Sequence, residues 1–178
     1  VYGIAGQSIH VSAAGSATDF YSRSTGDGSH AVTIVGGTEG DFTALSPWQG
    51  YVVFFKSDRI CKLLGSRSDS FTLQESHGAG IPEGFGDTLR EVANSLYYAS
   101  FGGVYRYRGQ VPERVFSFGE VTVTGGHGGS DGSVYCLAMT ADGEERVRLL
   151  LPEEGVWYPE DDLAVGFVLG YGGFLYLQ

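Results

Sequence analysis

"YVVFFKSDRICKLLGS", residues 51–66, is the stretch on which the fold of this chain turns. A run of β-branched and aromatic residues leads into the polar Lys-Ser-Asp-Arg, and a second apolar run follows at once. That is the pattern of two antiparallel strands joined by a tight turn. The same punctuation returns further on. Residues 96–109, "LYYASFGGVYRYRG", carry a turn at 100–103, and residues 134–152, "VYCLAMTADGEERVRLLLP", turn on Asp142 and Gly143. An Asp-Gly dipeptide tolerates the positive φ that a two-residue hairpin turn demands. "VYGIAGQSIHVSAAG" at 1–15 and "FVLGYGGFLYLQ" at 167–178 read as partial copies.

The units start near Val1, Tyr51, Leu96, Val134 and Phe174, at offsets of 50, 45, 38 and 40 residues. A period of this length, made of short strands, points to propeller blades of about four strands each. The other strands are at hand: "FTALSPW" and "SFTLQES" flank the second hairpin, "TLREVAN" and "ERVFSFG" the third, and "GVWYPED" follows the fourth. Helical spacing is confined to residues 87–93. A single blade cannot bury both faces, so blades must stack and share a core. The expectation is an all-β, propeller-like array of about four blades in one domain over residues 1–178. It is either closed by residues 167–178 lying beside 1–15 or part of a larger propeller. A β-sandwich is the alternative, with similar strand density but no need of recurring hairpins.

Composition agrees with short strands and tight turns: 29 glycines, 11 tyrosines and 11 phenylalanines stand against one methionine in 178 residues. At 42% apolar the chain can bury a sizeable core. The formal charge of −10 lacks the basic footprint that phosphate neutralisation needs, which argues against nucleic acid and anionic membrane as partners. No apolar run approaches the roughly 20 residues needed to span a bilayer, and the opening "VYGIAG" lacks the basic start of a secretory signal. Cys61 and Cys136 each sit inside an apolar strand-like run, where lone cysteines act as small hydrophobes. Two buried, reduced thiols are expected, which suits a reducing compartment.

Three stretches, "FTALSPWQGYVVFFKSDRICKLLGSRSDSFTLQES" (42–76), "HGAGIPEG" (77–84) and "NSLYYASFGGVYRYRGQVPERVF" (94–116), carry a further resemblance. In their strand punctuation they resemble the propeller-like structural proteins encoded in the head and tail regions of tailed bacteriophages and prophages, with a weaker echo in "LLLPEEGVWY" (149–158). The resemblance implies a non-enzymatic scaffold with protein partners, further copies of itself included. It would be located in a virion, or in the bacterial cytoplasm during assembly.

Residue chemistry adds little that is catalytic. The acidic clusters at Glu39 and Asp41, at Glu153 and Glu154, and at Glu160, Asp161 and Asp162 all adjoin glycine or proline, where solvated turns are the simpler reading than a glycosidase pair. His10, His30, His77 and His127 are scattered without zinc spacing, and no cofactor or metal is implied. Asp27 in "STGDGS" and Asp131 in "GGSDGS" suit turns better than calcium, which needs about six or more oxygens. No Gly-x-Ser-x-Gly elbow occurs. A contact surface remains, for which Trp48, Arg106, Arg108, Arg114, Trp157 and Tyr158 are the candidates. Alternation puts Tyr105 and Tyr107 on one face and Arg106 and Arg108 on the other. The arginines either meet an acidic partner or pair locally with Glu113. The alternative function, supported by the aromatics alone, is a carbohydrate-binding or glycoside-processing propeller.

Overall fold

The computed structural model of the chain describes residues 1–23, 29–151, 155–160, 168–171 and 174–177. The protein is all-β and forms two compact units, Val1–Gly80 and Ile81–Gln178.

In the first unit, β1 (Tyr2–Ala5), β2 (Ser8–Val11) and β3 (Val32–Val35) form a three-stranded sheet in that order. β4 (Ala44–Trp48), β5 (Tyr51–Lys56), β6 (Arg59–Leu64) and β7 (Thr72–His77) form a four-stranded antiparallel meander. The hairpin read from residues 51–66 is β5 and β6, with Lys56 opposite Arg59. Strand alternation selects the core: Val52 and Phe54 of β5, Cys61 and Leu63 of β6, and Ile9 and Val11 of β2 cluster with Phe42. Phe42 meets Phe54 edge to face at 5.9 Å.

The second unit opens with a single 3-10 turn (Gly86–Thr88), where helical spacing had been read, and continues in strands. β8 (Arg90–Val92), β9 (Ser95–Ser100), β10 (Gly103–Tyr107) and β11 (Glu113–Ser117) form the next meander. β12 (Val123–Ser130), β13 (Tyr135–Ala141), β14 (Glu144–Leu151) and β15 (Val156–Glu160) form another. β16 (Val168–Tyr171) and β17 (Phe174–Leu177) pair with each other. The turn between β13 and β14 is Asp142-Gly143, with φ of 52° and 82° as the dipeptide required.

The three full hairpins thus occupy three different four-stranded sheets, each in sequence order. The expected sharing of one sheet by the two chain ends is not formed among the described residues: β1 pairs with β2, and β16 with β17. Cys61 and Cys136 are both free, at 0% exposure, in different sheets. Among the described residues no helix is long and apolar enough to cross a membrane.

Within the second unit, the sheet of β8–β11 packs against that of β12–β15. Tyr97 of β9 stacks on Tyr135 of β13 at 5.7 Å, and the Tyr135 hydroxyl donates to the Thr88 carbonyl at 2.8 Å. Thr88 is a buried polar node. Its Oγ1 donates to Phe85 O at 2.6 Å and accepts from Ala99 N at 2.9 Å. β12 comes close because it is rich in glycine: a Cβ on Gly128 would lie 2.5 Å from Thr88 O.

Candidate functional site

The arginine-bearing strands of the second unit carry the charged surface the sequence singled out. Cross-strand register aligns Arg90, Tyr97, Arg106 and Glu113 in one row over β8 to β11. Directly paired residues share a face, and the Tyr97–Tyr135 stack shows that this face is turned to the next sheet. Arg106 donates to Glu113, Nη2 to Oε2, at 2.5 Å, with side-chain exposures of 18% and 62%. The hydrogen bond from Arg106 holds the Glu113 carboxyl below its ordinary value, and Glu113 in turn raises Arg106. Arg108 keeps the face of Arg106 and donates from Nε to Ser95 Oγ at 3.2 Å.

Arg114 stands elsewhere. The ladder between β10 and β11 shifts by one residue between Val104 and Tyr105, so Arg114 faces Tyr105 on the opposite side of the sheet. The three arginines therefore do not form one patch. Local pairing with Glu113 holds for Arg106.

The remaining expected contact residues stand on β4 and β15. Trp48 is 3% exposed and meets Tyr51 edge to face at 5.7 Å. Trp157 and Tyr158 pair through the backbone with Leu150 and Leu149. Their side chains lie outside the described ones, as do Asp27, Glu153, Glu154, Asp161 and Asp162. Among the tyrosines nearby, Tyr97, Tyr98 and Tyr107 are buried, and Tyr105 is half-buried beside Tyr98, stacked at 6.0 Å.

What the sequence did not signal is the face of β13 and β14 that is turned to this sheet. Arg146 and Arg148 of β14 pair across the ladder with Met139 and Leu137 of β13, which share the face of Tyr135. Alternation in "EERVRLLL" was available to find them, but which sheet they faced was not. Phe116, Phe118, Val121, Met139, Arg146 and Arg148 enclose a cavity of about 60 Å³ between the two sheets. Phe116 and Phe118 meet edge to face at 6.1 Å.

Other candidate chemistry resolves into local structure. Asp131 accepts from the backbone N–H groups of Ser133 and Val134, both at 2.8 Å, so it shapes a turn. His10 bonds Thr33, His77 bonds Arg59, and His127 lies 3.6 Å from Asp87. Among the described residues no three His, Cys, Asp or Glu side chains gather as a metal site. Lys56 is 1% exposed, bonded through Nζ to Thr38 O at 2.6 Å and set over the Phe42 ring at 4.8 Å.

No protein-family model matches the chain, and no curated protein matches it. The fold and the site define an all-β protein of successive antiparallel meanders, with a small cavity between two of them that Arg146 and Arg148 line together with apolar side chains.

Proposed function

We propose that this chain is a non-enzymatic, propeller-like scaffold that works by protein contact within a larger assembly, and that the assembly is a phage or prophage particle. The observation that carries the reading is the run of three consecutive four-stranded meanders, each centred on a hairpin of the same punctuation. Such units bury their faces against neighbours and leave their loops free for contacts, which is how repeat scaffolds assemble. The phage setting is supported by the hairpin resemblance over roughly residues 42–118. The sugar-binding alternative is weaker because four of the seven aromatics it would use, Trp48, Tyr97, Tyr98 and Tyr107, are buried.

The test is the composition of particles. Virions or prophage-induced particles from the host would be purified and searched for this chain by mass spectrometry, and its gene would be checked for portal, capsid and tail neighbours. Recovery in stoichiometric amount is the expected result. A chain absent from particles that binds on a glycan array or hydrolyses a glycoside would overturn it.

A further inference from the structure

We infer that His77 is an acid-operated latch on the segment by which the chain leaves the first unit. Neutral, it holds residues 78–80 on the turn between β5 and β6; protonated, it lets them go.

The latch begins with a row of side chains. Cross-strand register sets Lys56 of β5, Arg59 of β6 and His77 of β7 side by side, and directly paired residues share a face. Lys56 and Arg59 are already cationic neighbours. The Arg59 side chain is 19% exposed, and its Nη1 lies 2.7 Å from His77 Nε2. A guanidinium only donates, so Nε2 is the acceptor and the ring proton sits on Nδ1, 3.9 Å from Asp58 Oδ2. The contact with Arg59 therefore requires the neutral imidazole. A proton on Nε2 would turn two donors on each other at hydrogen-bond distance and put three cations in one row, and like charges directly opposite destabilise a sheet.

The neighbouring carboxylates do not offset this. Asp58 is the one within ion-pair distance of His77 among the described residues; it is 62% exposed and is shared with Arg59 Nε at 3.7 Å. Glu75, on the same face two residues before His77, accepts from Gly37 N and Thr38 Oγ1. The Lys56 ammonium is turned to Thr38 as well. Glu39 and Asp41 of the connection from β3 to β4 are exposed, and neither is within ion-pair distance of His77. The His77 side chain is itself 73% exposed, so the protonated ring relieves the clash by turning to water.

What this frees is the backbone next in sequence. Gly78 N donates to Asp58 O at 3.1 Å. Gly80, the last residue of the first unit, rests so close on the turn that a Cβ there would overlap Lys56 O and lie 2.9 Å from Arg59 O. Residues 78–80 are Gly-Ala-Gly, so the nearest long side chain able to tie them to the turn is His77. Histidine is the ordinary side chain that changes charge between pH 5 and 8. The hold is thus firm at neutral pH and fails in mild acid.

The experiment uses the full chain and follows hydrogen exchange of the Gly78 amide by NMR from pH 8 to pH 5, each rate corrected for the intrinsic pH dependence of exchange. Protection of Gly78 should fall by at least about threefold over that range, while the amides of 53–55 in β5 keep theirs. His77→Gln, which can accept from Arg59 and does not titrate, should hold Gly78 protection constant to within about 1.5-fold. His77→Ala should show the low protection already at pH 8. Circular dichroism at both ends of the range checks that each variant is folded. A flat profile in the parent, or a fall of the same size in His77→Gln, would overturn the inference. So would loss of the whole fold at pH 5, because the release is local.

Discussion

Arg106 and Glu113 meet across β10 and β11 because of a one-residue bulge between their strands. Val104 pairs with Phe116, and unbroken counting from there would set Arg106 opposite Arg114, two like charges face to face. The shift at Tyr105 instead sets Arg114 opposite Tyr105 and brings Glu113 to Arg106. Like charges directly opposite destabilise a sheet, so the bulge replaces a repulsive pair with an attractive one.

The pair makes stability depend on acid. The folded Glu113 carboxyl titrates below its ordinary 4.5, so its contribution is present above that value and is lost as pH falls through the lower folded value. Glu113→Gln should therefore melt below the parent at pH 7, with the gap closing as pH is lowered past 4. Melting curves at pH 7, 5 and 3 check this. A gap that is constant over that range refutes the ion pair as its source.

The Thr88 node predicts an order of severity. Tyr135→Phe removes one donor to a carbonyl and should cost about 1 kcal/mol. Thr88→Val leaves both Phe85 O and Ala99 N without the Oγ1 partner in a buried setting, and should cost about 2–3 kcal/mol. Urea unfolding of the two variants gives the comparison. Equal costs would mean that Thr88 acts only by its size.

Gly128→Ala tests the close approach of β12. The added Cβ would sit 2.5 Å from Thr88 O and 3.0 and 3.1 Å from Thr88 C and Cα, backbone atoms that cannot rotate away as a side chain could. A loss of about 1–3 kcal/mol is expected. Gly3→Ala, where a Cβ meets nothing within 4 Å, is the control and should be near neutral.

That strand also shows why part of the fold was not legible. Hairpins with alternating apolar residues and polar turns were readable at 51–66, 96–109 and 134–152, and each is a hairpin in the structure. β12, "VTGGHGGS", carries no strand signal because glycine is depleted in strands; Gly128 is there for close packing against Thr88, a contact that no local pattern encodes. The candidate surface failed for a related reason. Alternation correctly split Arg106 and Arg108 from Tyr105 and Tyr107, but a bulge changes which residues are opposite, so Arg114 was grouped with the wrong face. Arg146 and Arg148 were visible as neighbours in alternation, and only the packing of two sheets turns their face toward the row of Tyr97 and Arg106.

The cysteines give a prediction about reactivity. Both are fully buried, and burial pushes the Cys61 thiol up to about 12. Native protein should label slowly, with two thiols appearing on unfolding. Raising the pH from 7 to 9 would half-ionise an ordinary thiol but leave Cys61 almost wholly protonated. Rapid native labelling at pH 9 of a Cys136→Ser variant would contradict this.

Lys56 carries the last prediction, and its burial decides what kind it is. A lysine 1% exposed has no route to a substrate, and its ammonium is already committed to Thr38 O and Thr38 Oγ1, over the face of Phe42. Thr38 belongs to "GGTEGDF", the acidic glycine-rich stretch joining β3 to β4. Glu75 of β7 fixes that stretch from the other side, accepting from Gly37 N at 2.9 Å and Thr38 Oγ1 at 2.5 Å. Gly36 is needed beneath, since a Cβ there would lie 2.7 Å from Lys56 Nζ. Lys56 and Glu75 thus clamp the 36–42 connection to the meander of β4–β7. Lys56→Met keeps the aliphatic stem but leaves the Thr38 carbonyl without its donor, at a cost of about 1–3 kcal/mol. The loss should be local before it is global: backbone amides of 37–43 should exchange hydrogen sooner, while the Cys61 thiol stays as slow to label as in the parent. Unchanged exchange over 37–43 would show that the loop is held by its own backbone and not by the clamp.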